Sequence, residues 1–414
     1  MNFEEFTFDS VSQAARKFGT PLYFYDMGVL GCNIDKLKQA TKGFKIRYAV
    51  KTNPNPFLLN WLKDHIDSLD VSSSGELKHA IGNGWSSDKI EFTGPAKRDS
   101  DLVLALENNV GSVVIEDLSE AISLNDIARE KGVIARVLIR IAPSLAEENF
   151  GVRLAGRPTQ FGIDQDRLSE VFAEVKKLKH VELAGFHIYS GSQCLNDESI
   201  ADHFVSMWSV FQEAIQLWGE PINELVFGAG MGIPYHDGDT SLTLDSLPDV
   251  ASKIIEDVKK ISSDIECFIE VGRFLVGSAG LFVTEVVRVK KSRNSNFVIC
   301  DGGMNNNLGA CGHLGGISHR HYSMINLNSL GGEEETYRVV GPLCTAIDTL
   351  AHRVKLPKVS VGDLIVVGCS GSYGPTASPL FFIAHDLPKE VVFSREREST
   401  GELKDVSWLK PSFS

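Results

Sequence analysis

The feature that most constrains this chain is an alternation of short apolar runs with longer segments of helical spacing, repeated eight times between residues 44 and 271. The runs occupy 44–50, 68–73, 90–94, 112–117, 135–141, 181–189, 224–230 and 267–271. Consecutive strands joined by helical crossovers pair in parallel, and the crossovers cover the sheet they create. Eight such units predict an α/β fold, a (β/α)8 barrel. Between the runs, clusters such as Phe57, Leu58, Trp61 and Leu62, or Phe204, Met207, Trp208 and Phe211, keep one helical face apolar against the barrel wall.

After Val276 the texture changes to β runs without long helices, at 281–289, 297–300, 337–340, 363–367 and 391–393, which predicts a second, antiparallel β domain. The run 21–25 is a ninth strand that a count of eight cannot hold, and we expect it to join the C-terminal sheet. The expected division is a barrel over 31–276 and a β domain built from 1–30 and 277–414. Two irregular stretches, 142–166 and 302–336, are too long for passive connections.

At 414 residues and 43% hydrophobic content the chain can fill two cores. Its formal net charge of −13, with no basic run longer than doublets such as Lys176-Lys177, argues against nucleic acid as a partner. Seven scattered cysteines without a Cys-x-x-Cys pair predict reduced thiols in the cytoplasm rather than a disulfide framework or structural zinc. The acidic N-terminus lacks the apolar core of a signal peptide, and no run approaches a membrane span, so neither export nor a membrane anchor is expected.

In a barrel of this kind reactive groups project from the C-terminal strand ends. The first run ends in Tyr48-Ala49-Val50-Lys51-Thr52-Asn53-Pro54-Asn55. Desolvation there disfavours the ammonium form of Lys51, and a neutral amine can form a Schiff base. The sixth run brings His187 and Tyr189 to one face. The seventh ends in Gly228, Gly230 and Gly232, whose backbone can approach an anion at the place where barrels most often hold phosphate. The eighth ends in Glu270-Val271-Gly272-Arg273: Glu270 shares the side of Phe268, facing the barrel mouth, and Arg273 suits an oxyanion. A reactive lysine, a phosphate cradle and a carboxylate that can pair with a ring nitrogen are three handles of pyridoxal 5'-phosphate. In the β domain, the turn 341–348 carries Cys344 and Asp348, and the turn 371–375 carries Tyr373. Cys311, His313, His319 and His321 match no metal-ligand spacing, and no metal is expected.

On these motifs the chain resembles the fold-type III decarboxylases that use pyridoxal phosphate, the ornithine and diaminopimelate decarboxylase superfamily, over nearly its whole length. The resemblance implies an alanine-racemase-like barrel with a C-terminal β domain, and Lys51 as the Schiff-base lysine. It implies that Gly191, Ser192, Gln193, Gly228, Gly230, Gly232 and Arg273 hold phosphate, that Glu270 pairs with the pyridinium, and that Tyr373 also contacts the cofactor. It further implies a head-to-tail homodimer in which Cys344 reaches the cofactor of the partner subunit and acts as general acid. Tyr189 stands where members usually place the histidine that stacks on the ring, which leaves His187 or Tyr189 for that role. Thr345 stands where the diamine-forming enzymes commonly carry an acid, and a buried second ammonium without that partner costs on the order of a few kcal/mol. The loop 153–162, with Arg153 and Arg157, resembles that of decarboxylases from siderophore and antibiotic pathways acting on citrate- or carrier-linked amino acids. The Arg-Pro pair that reads the distal carboxylate in diaminopimelate decarboxylases has no counterpart in Met304-Asn305-Asn306-Asn307. Arg153, Arg157, Thr345 and Asp348 are the expected substrate-binding residues, and the expected activity is decarboxylation of an anionic or conjugated α-amino acid. The alternatives are a diaminopimelate decarboxylase, an amino-acid racemase, which would usually pair the ring nitrogen with arginine, and a non-catalytic regulatory homologue.

Overall fold

In the computed structural model, which describes residues 3, 6–144, 149–312, 320–394 and 401–410, eight parallel strands close on themselves. They are β1 (Lys45–Ala49), β2 (Ser68–Val71), β3 (Ile90–Phe92), β4 (Ser112–Ile115), β5 (Ala135–Ala142), β6 (Val181–Ile188), β7 (Glu224–Gly228) and β8 (Glu266–Val271). β8 pairs with β1 through Phe268–Lys45 to Val271–Tyr48, which completes the barrel. Each strand ends within two residues of the corresponding apolar run, because burial on both faces leaves little but apolar residues in a parallel strand.

One inward layer is apolar: Val114, Leu138, Ala184, Val226 and Phe268 form their own buried cluster. On β5 and β8 the side chains two residues further on are Arg140 and Glu270, so the strand period carries the same inward face up to the mouth. Lower in the barrel Arg47 reaches Glu91 at 2.6 Å and Glu224 at 2.9 Å, all three buried, and its guanidinium lies 4.1 Å from the Phe268 ring centroid. Burial raises the Glu91 carboxyl well above its ordinary value, whereas Arg47 and Arg136 overcome burial and hold Glu224 low. The helices face this wall as expected; Asp197–Trp218, capped by Asn196 and ended by Gly219 at φ 70°, buries Phe204, Met207, Trp208 and Phe211.

Among the described residues the second sheet has nine strands: Leu22–Asp26, Gly280–Ser292, Ser295–Cys300, Met324–Asn326, Glu334–Val340, Thr349–Pro357, Leu364–Val367, Lys389–Ser394 and Glu402–Asp405. Leu22–Asp26 lies between Gly280–Ser292 and Lys389–Ser394. The sheet is mostly, not wholly, antiparallel. Leu22–Asp26 runs parallel to Lys389–Ser394, and Ser295–Cys300 parallel to Glu334–Val340, both across connections long enough to return in the same sense. Three of these strands give no clear sequence signal: Met324–Asn326 and Glu402–Asp405 are short, and Thr349–Pro357 breaks its alternation with the exposed pair His352-Arg353. The helix Met27–Ala40, capped by Asp26, carries the chain from sheet to barrel and passes through residue 31 without a break. Among the described residues no helix is long and apolar enough to cross a membrane.

Candidate active site

Lys51 sits in a single 3-10 turn, Val50–Thr52, directly after β1. Its amine lies 3.4 Å from Asp70 at the end of β2 and 3.4 Å from Glu270 at the end of β8. Both carboxylates are buried, whereas the lysine side chain is 38% exposed along a cavity. Burial alone would pull the amine's pKa down, but the two carboxylates outweigh it and hold Lys51 well above its ordinary value. The expectation of a desolvated, neutral lysine is therefore overturned for the free enzyme: the ammonium is the resident form, and the amine must shed a proton before it can attack a carbonyl. Asp70 has no counterpart in the sequence reading. Its signal was an acid inside the apolar run Ser68-Leu69-Asp70-Val71, legible only once that run is known to line the barrel mouth.

Glu270 is held by His187, whose Nε2 lies 2.7 Å from Oε2. Burial raises the Glu270 carboxyl, yet Lys51 and the bond from His187 overcome this and keep it well below the ordinary carboxylate range. His187 lies 1% exposed behind Glu270 with its Nδ1 unpartnered, and one ligand atom each of Glu91, His187 and Glu270 lies within 4.8 Å of the others. Of the two aromatic candidates, Tyr189 is the one beside the lysine, with the Lys51 amine 5.6 Å from its ring centroid. Asp70 accepts a 2.5 Å hydrogen bond from Thr93, which fixes its second oxygen.

A cavity of 360 Å³ opens beside Lys51, lined by Tyr189, Glu270, Arg273 and Tyr373 and walled further out by Pro95, Val152, Leu154 and Phe161. Arg140 also lines it, paired to Glu116 at 2.9 Å and lying 4.7 Å from the Phe161 ring centroid. A narrower pocket continues from Lys51 to Ser192, Gly230, Met231, Gly272, Arg273 and Tyr373. Arg273 donates to the Tyr235 hydroxyl at 2.7 Å and stacks 4.9 Å from the Tyr373 ring centroid, but its buried Nε has no partner. Of the three glycines, Gly230 lines this pocket, in the left-handed region at φ 65°. Gly228 lets the turn after β6 close on it: a Cβ there would lie 2.5 Å from the Tyr189 ring. Gly232 likewise packs against Gln193 and Cys194. Gln193 braces the backbone of Ile233 with its amide, accepting at 3.2 Å and donating at 2.7 Å.

An amine flanked by carboxylates, a buried guanidinium with a vacant donor, a serine hydroxyl and a glycine that admits a close approach together fit pyridoxal 5'-phosphate. The chain matches the family described as pyridoxal-dependent decarboxylase, pyridoxal binding domain, over residues 31–277. This chain belongs to that family. It is 30% identical over 389 residues to the L-glutamyl-[BtrI acyl-carrier protein] decarboxylase of Niallia circulans, covering 92% of this chain and 90% of that one. It is 26% identical over 385 residues to the 2-[(L-alanin-3-ylcarbamoyl)methyl]-2-hydroxybutanedioate decarboxylase of Staphylococcus aureus, covering 91% and 94%. The diaminopimelate decarboxylase of Helicobacter pylori complexed with L-lysine superposes with a TM-score of 0.80 at 26% identity, over 96% of this chain and 95% of that one. This decarboxylase is thus a pyridoxal-phosphate carboxy-lyase built on the alanine-racemase-like fold.

The expected substrate contacts fare differently. Asp348 is 2% exposed, and its two oxygens accept from the backbone of Met304 and Leu343, both at 2.7 Å. It clasps the turn 341–348 and lines neither pocket beside Lys51. Arg157 lines a separate cavity with Pro143, Ser144, Asp164 and Asp166, away from Lys51. Arg153 ends the strand Phe150–Arg153, which pairs with Gly191–Cys194 beside the site. Cys344 is exposed and Thr345 half-buried, and neither lines the cavity of its own chain. His313 and His319 lie outside the described residues, and His321 points its Nδ1 at its neighbour's carbonyl, 2.9 Å from the oxygen of Tyr322.

Proposed function

We propose that this enzyme removes the α-carboxylate from an amino acid whose far end is conjugated, citryl- or carrier-linked, in a siderophore or other secondary-metabolite pathway, and that it works as a cytoplasmic homodimer. The observation that carries the reading is the Lys51 amine set between two buried carboxylates at the mouth of the cavity. When bound, pyridoxal phosphate supplies a ring that accepts the electron pair left by departing CO2. Lys51 would attach the cofactor, its proton passing to Asp70 or to water, since Glu270 is held in its ionised form. Glu270, kept ionised, would hold a proton on the ring nitrogen, and His187 fixes the carboxylate for that task. Tyr189 would stack on the ring. Ser192, Gly230, Arg273 and Tyr373 would hold the phosphate, while Gly228 and Gly232 let the surrounding loops close.

Two observations support a conjugated substrate. Among the described residues lining the larger cavity, Glu270 is the only carboxylate, and it is already engaged by His187 and Lys51. A second ammonium, as in ornithine or diaminopimelate, would be desolvated without a counter-charge. The two curated relatives named above act on amino acids joined to a larger group, in the words of their names. Dimerisation is supported by the exposed Cys344 turn and by Phe381, Phe382 and Ile383, which are 49%, 45% and 48% exposed in succession. Apolar surface of that kind calls for a cover. In such a dimer Cys344 of the partner subunit returns a proton to the α-carbon, and Thr345 follows it into the mouth. The seven cysteines, none of them in a disulfide, suit a reducing compartment.

The test is CO2 release from a citryl- or carrier-linked amino acid beside meso-diaminopimelate and ornithine. We expect the conjugate to be favoured at least about a hundredfold in kcat/KM, since the diamines leave a charge unpaired. Lys51→Ala should abolish release from every substrate. Preferred turnover of meso-diaminopimelate would replace this reading with the diaminopimelate decarboxylase alternative.

A further inference from the structure

The segment that carries Lys51 has little regular structure of its own: one 3-10 turn, Val50–Thr52, and residues 53–55 precede the helix Pro56–Leu62. Much of what holds it comes from the other domain. Thr52 O accepts from the Tyr373 amide at 2.7 Å, and the Asn53 side chain donates to Gly371 O at 2.9 Å. The Asn55 amide donates to Glu390 Oε1 at 2.9 Å and to Val406 O at 3.2 Å. The same Glu390 oxygen accepts from the Tyr25 hydroxyl at 3.0 Å. On the barrel side Asn55 Oδ1 caps the following helix by accepting from Phe57 N at 2.9 Å, and the Tyr48 hydroxyl donates to Asn53 O at 3.0 Å. Asn55 is 0% exposed, and Glu390 and Tyr25 are each 2% exposed.

We propose that Glu390 and Asn55 are positioning residues of the active site: through them the strands Leu22–Asp26 and Lys389–Ser394 hold the turn that sets the Lys51 amine between Asp70 and Glu270. The inference rests on Lys51 as the attachment point of the cofactor. Neither residue lines the cavity, so neither touches substrate or cofactor. A carboxylate is an expensive way to fill apolar space, and where one is kept buried it fixes a unique arrangement of its donors. Burial pushes the Glu390 carboxyl up to about 7, even though the bonds from Asn55 and Tyr25 oppose that rise. The amide of a glutamine can accept the same two bonds, whereas an alanine leaves both donors stranded.

The experiment compares Glu390→Ala, Asn55→Ala and Glu390→Gln in the full-length protein. It reads the dissociation constant for pyridoxal phosphate, the visible absorbance of the bound cofactor and its pH titration, steady-state kinetics at saturating cofactor, and the melting temperature. A displacement of the lysine by about 1 Å is worth on the order of a hundredfold in rate. We therefore expect both alanine variants to bind cofactor at least about tenfold more weakly and to lose kcat with little change in KM, with E390Q restoring most of both. Alanine variants that melt lower but bind cofactor, titrate and turn over like the parent would overturn the proposal, because the two residues would then serve stability alone. Should Glu390→Ala not fold, Tyr25→Phe and Asn55→Ser each remove part of the network, and unchanged cofactor affinity in both would overturn it equally. Failure of the underlying reading is separate: Lys51→Ala that still acquires the visible absorbance would remove the lysine from the cofactor whatever the other variants do.

Discussion

At the scale of single residues the site is governed by charge balance around one amine. Asp70 and Glu270 lie equally far from Lys51, yet their other partners differ: Thr93 for Asp70, His187 for Glu270. Burial and the neighbouring Glu270 charge raise the Asp70 carboxyl, while Glu270 is held low by Lys51 and His187. The pair thus divides its work, with Glu270 as the permanent anion. Glu270→Gln should keep the contact to His187 but lose the charge, and kcat for CO2 release should fall by about 10²–10³, the scale of a lost preorganised electrostatic contact. Asp70→Asn takes away one of the two charges that raise the lysine. Its amine should deprotonate at lower pH, and pyridoxal phosphate should associate faster at neutral pH, as stopped-flow absorbance would record; an unchanged rate would mean that Asp70 does not control the amine.

At the scale of elements, the glycines after β7 serve close packing as much as anion binding. A methyl at Gly228 would meet the Tyr189 ring at 2.5 Å and the Ile188 carbonyl at 2.8 Å. Gly228→Ala should therefore cost about 1–3 kcal/mol in denaturant unfolding and weaken cofactor binding by displacing Tyr189. The loop has a second support that sequence reading passed over. His203, on the helix Asp197–Trp218, lies 3.1 Å from the Gly228 carbonyl through Nε2 and packs 4.9 Å from the Phe150 ring centroid. Burial lowers its pKa from 6.5 to about 4, so the unfolded chain binds the extra proton between these values. The sign follows: its stabilising contribution is complete above pH 6.5 and is lost as pH falls toward 4, by up to about 3 kcal/mol. Unfolding titrations of the parent against His203→Gln should show that slope in the parent only.

At the scale of the whole molecule, the second domain completes the barrel's site in two ways. Within one chain it holds the Lys51 turn through Tyr373, Gly371 and Glu390. Between chains, the proposed dimer brings Cys344 to a cavity that its own chain does not let it reach. Mixing Lys51→Ala with Cys344→Ala tests this directly. Neither variant alone should turn over appreciably, whereas random exchange of subunits gives half heterodimers with one intact site each, restoring about a quarter of the parent activity. No recovery after exchange would place the proton donor within the same subunit.

The barrel was legible in the chain, because apolar runs separated by helical spacing call for a parallel sheet covered by helices on both faces, and a count of eight suits its closure. The lysine at the end of the first strand, and the acid and the arginine at the end of the eighth, were legible too, since reactive groups gather where barrel strands end. What surrounds them depends on contacts between elements far apart in the chain. Asp70 and Arg140 join the site from strands whose order in the barrel places them there, not from any motif of their own. Asp348 clasps its own turn, with one oxygen bonded to the backbone of Met304, distant in sequence, and the other to Leu343 within the turn, and Arg157 sits on a loop that lines another cavity. The protonation of Lys51 was decided the same way: a strand end predicts desolvation, but two carboxylates brought in from other strands reverse its effect.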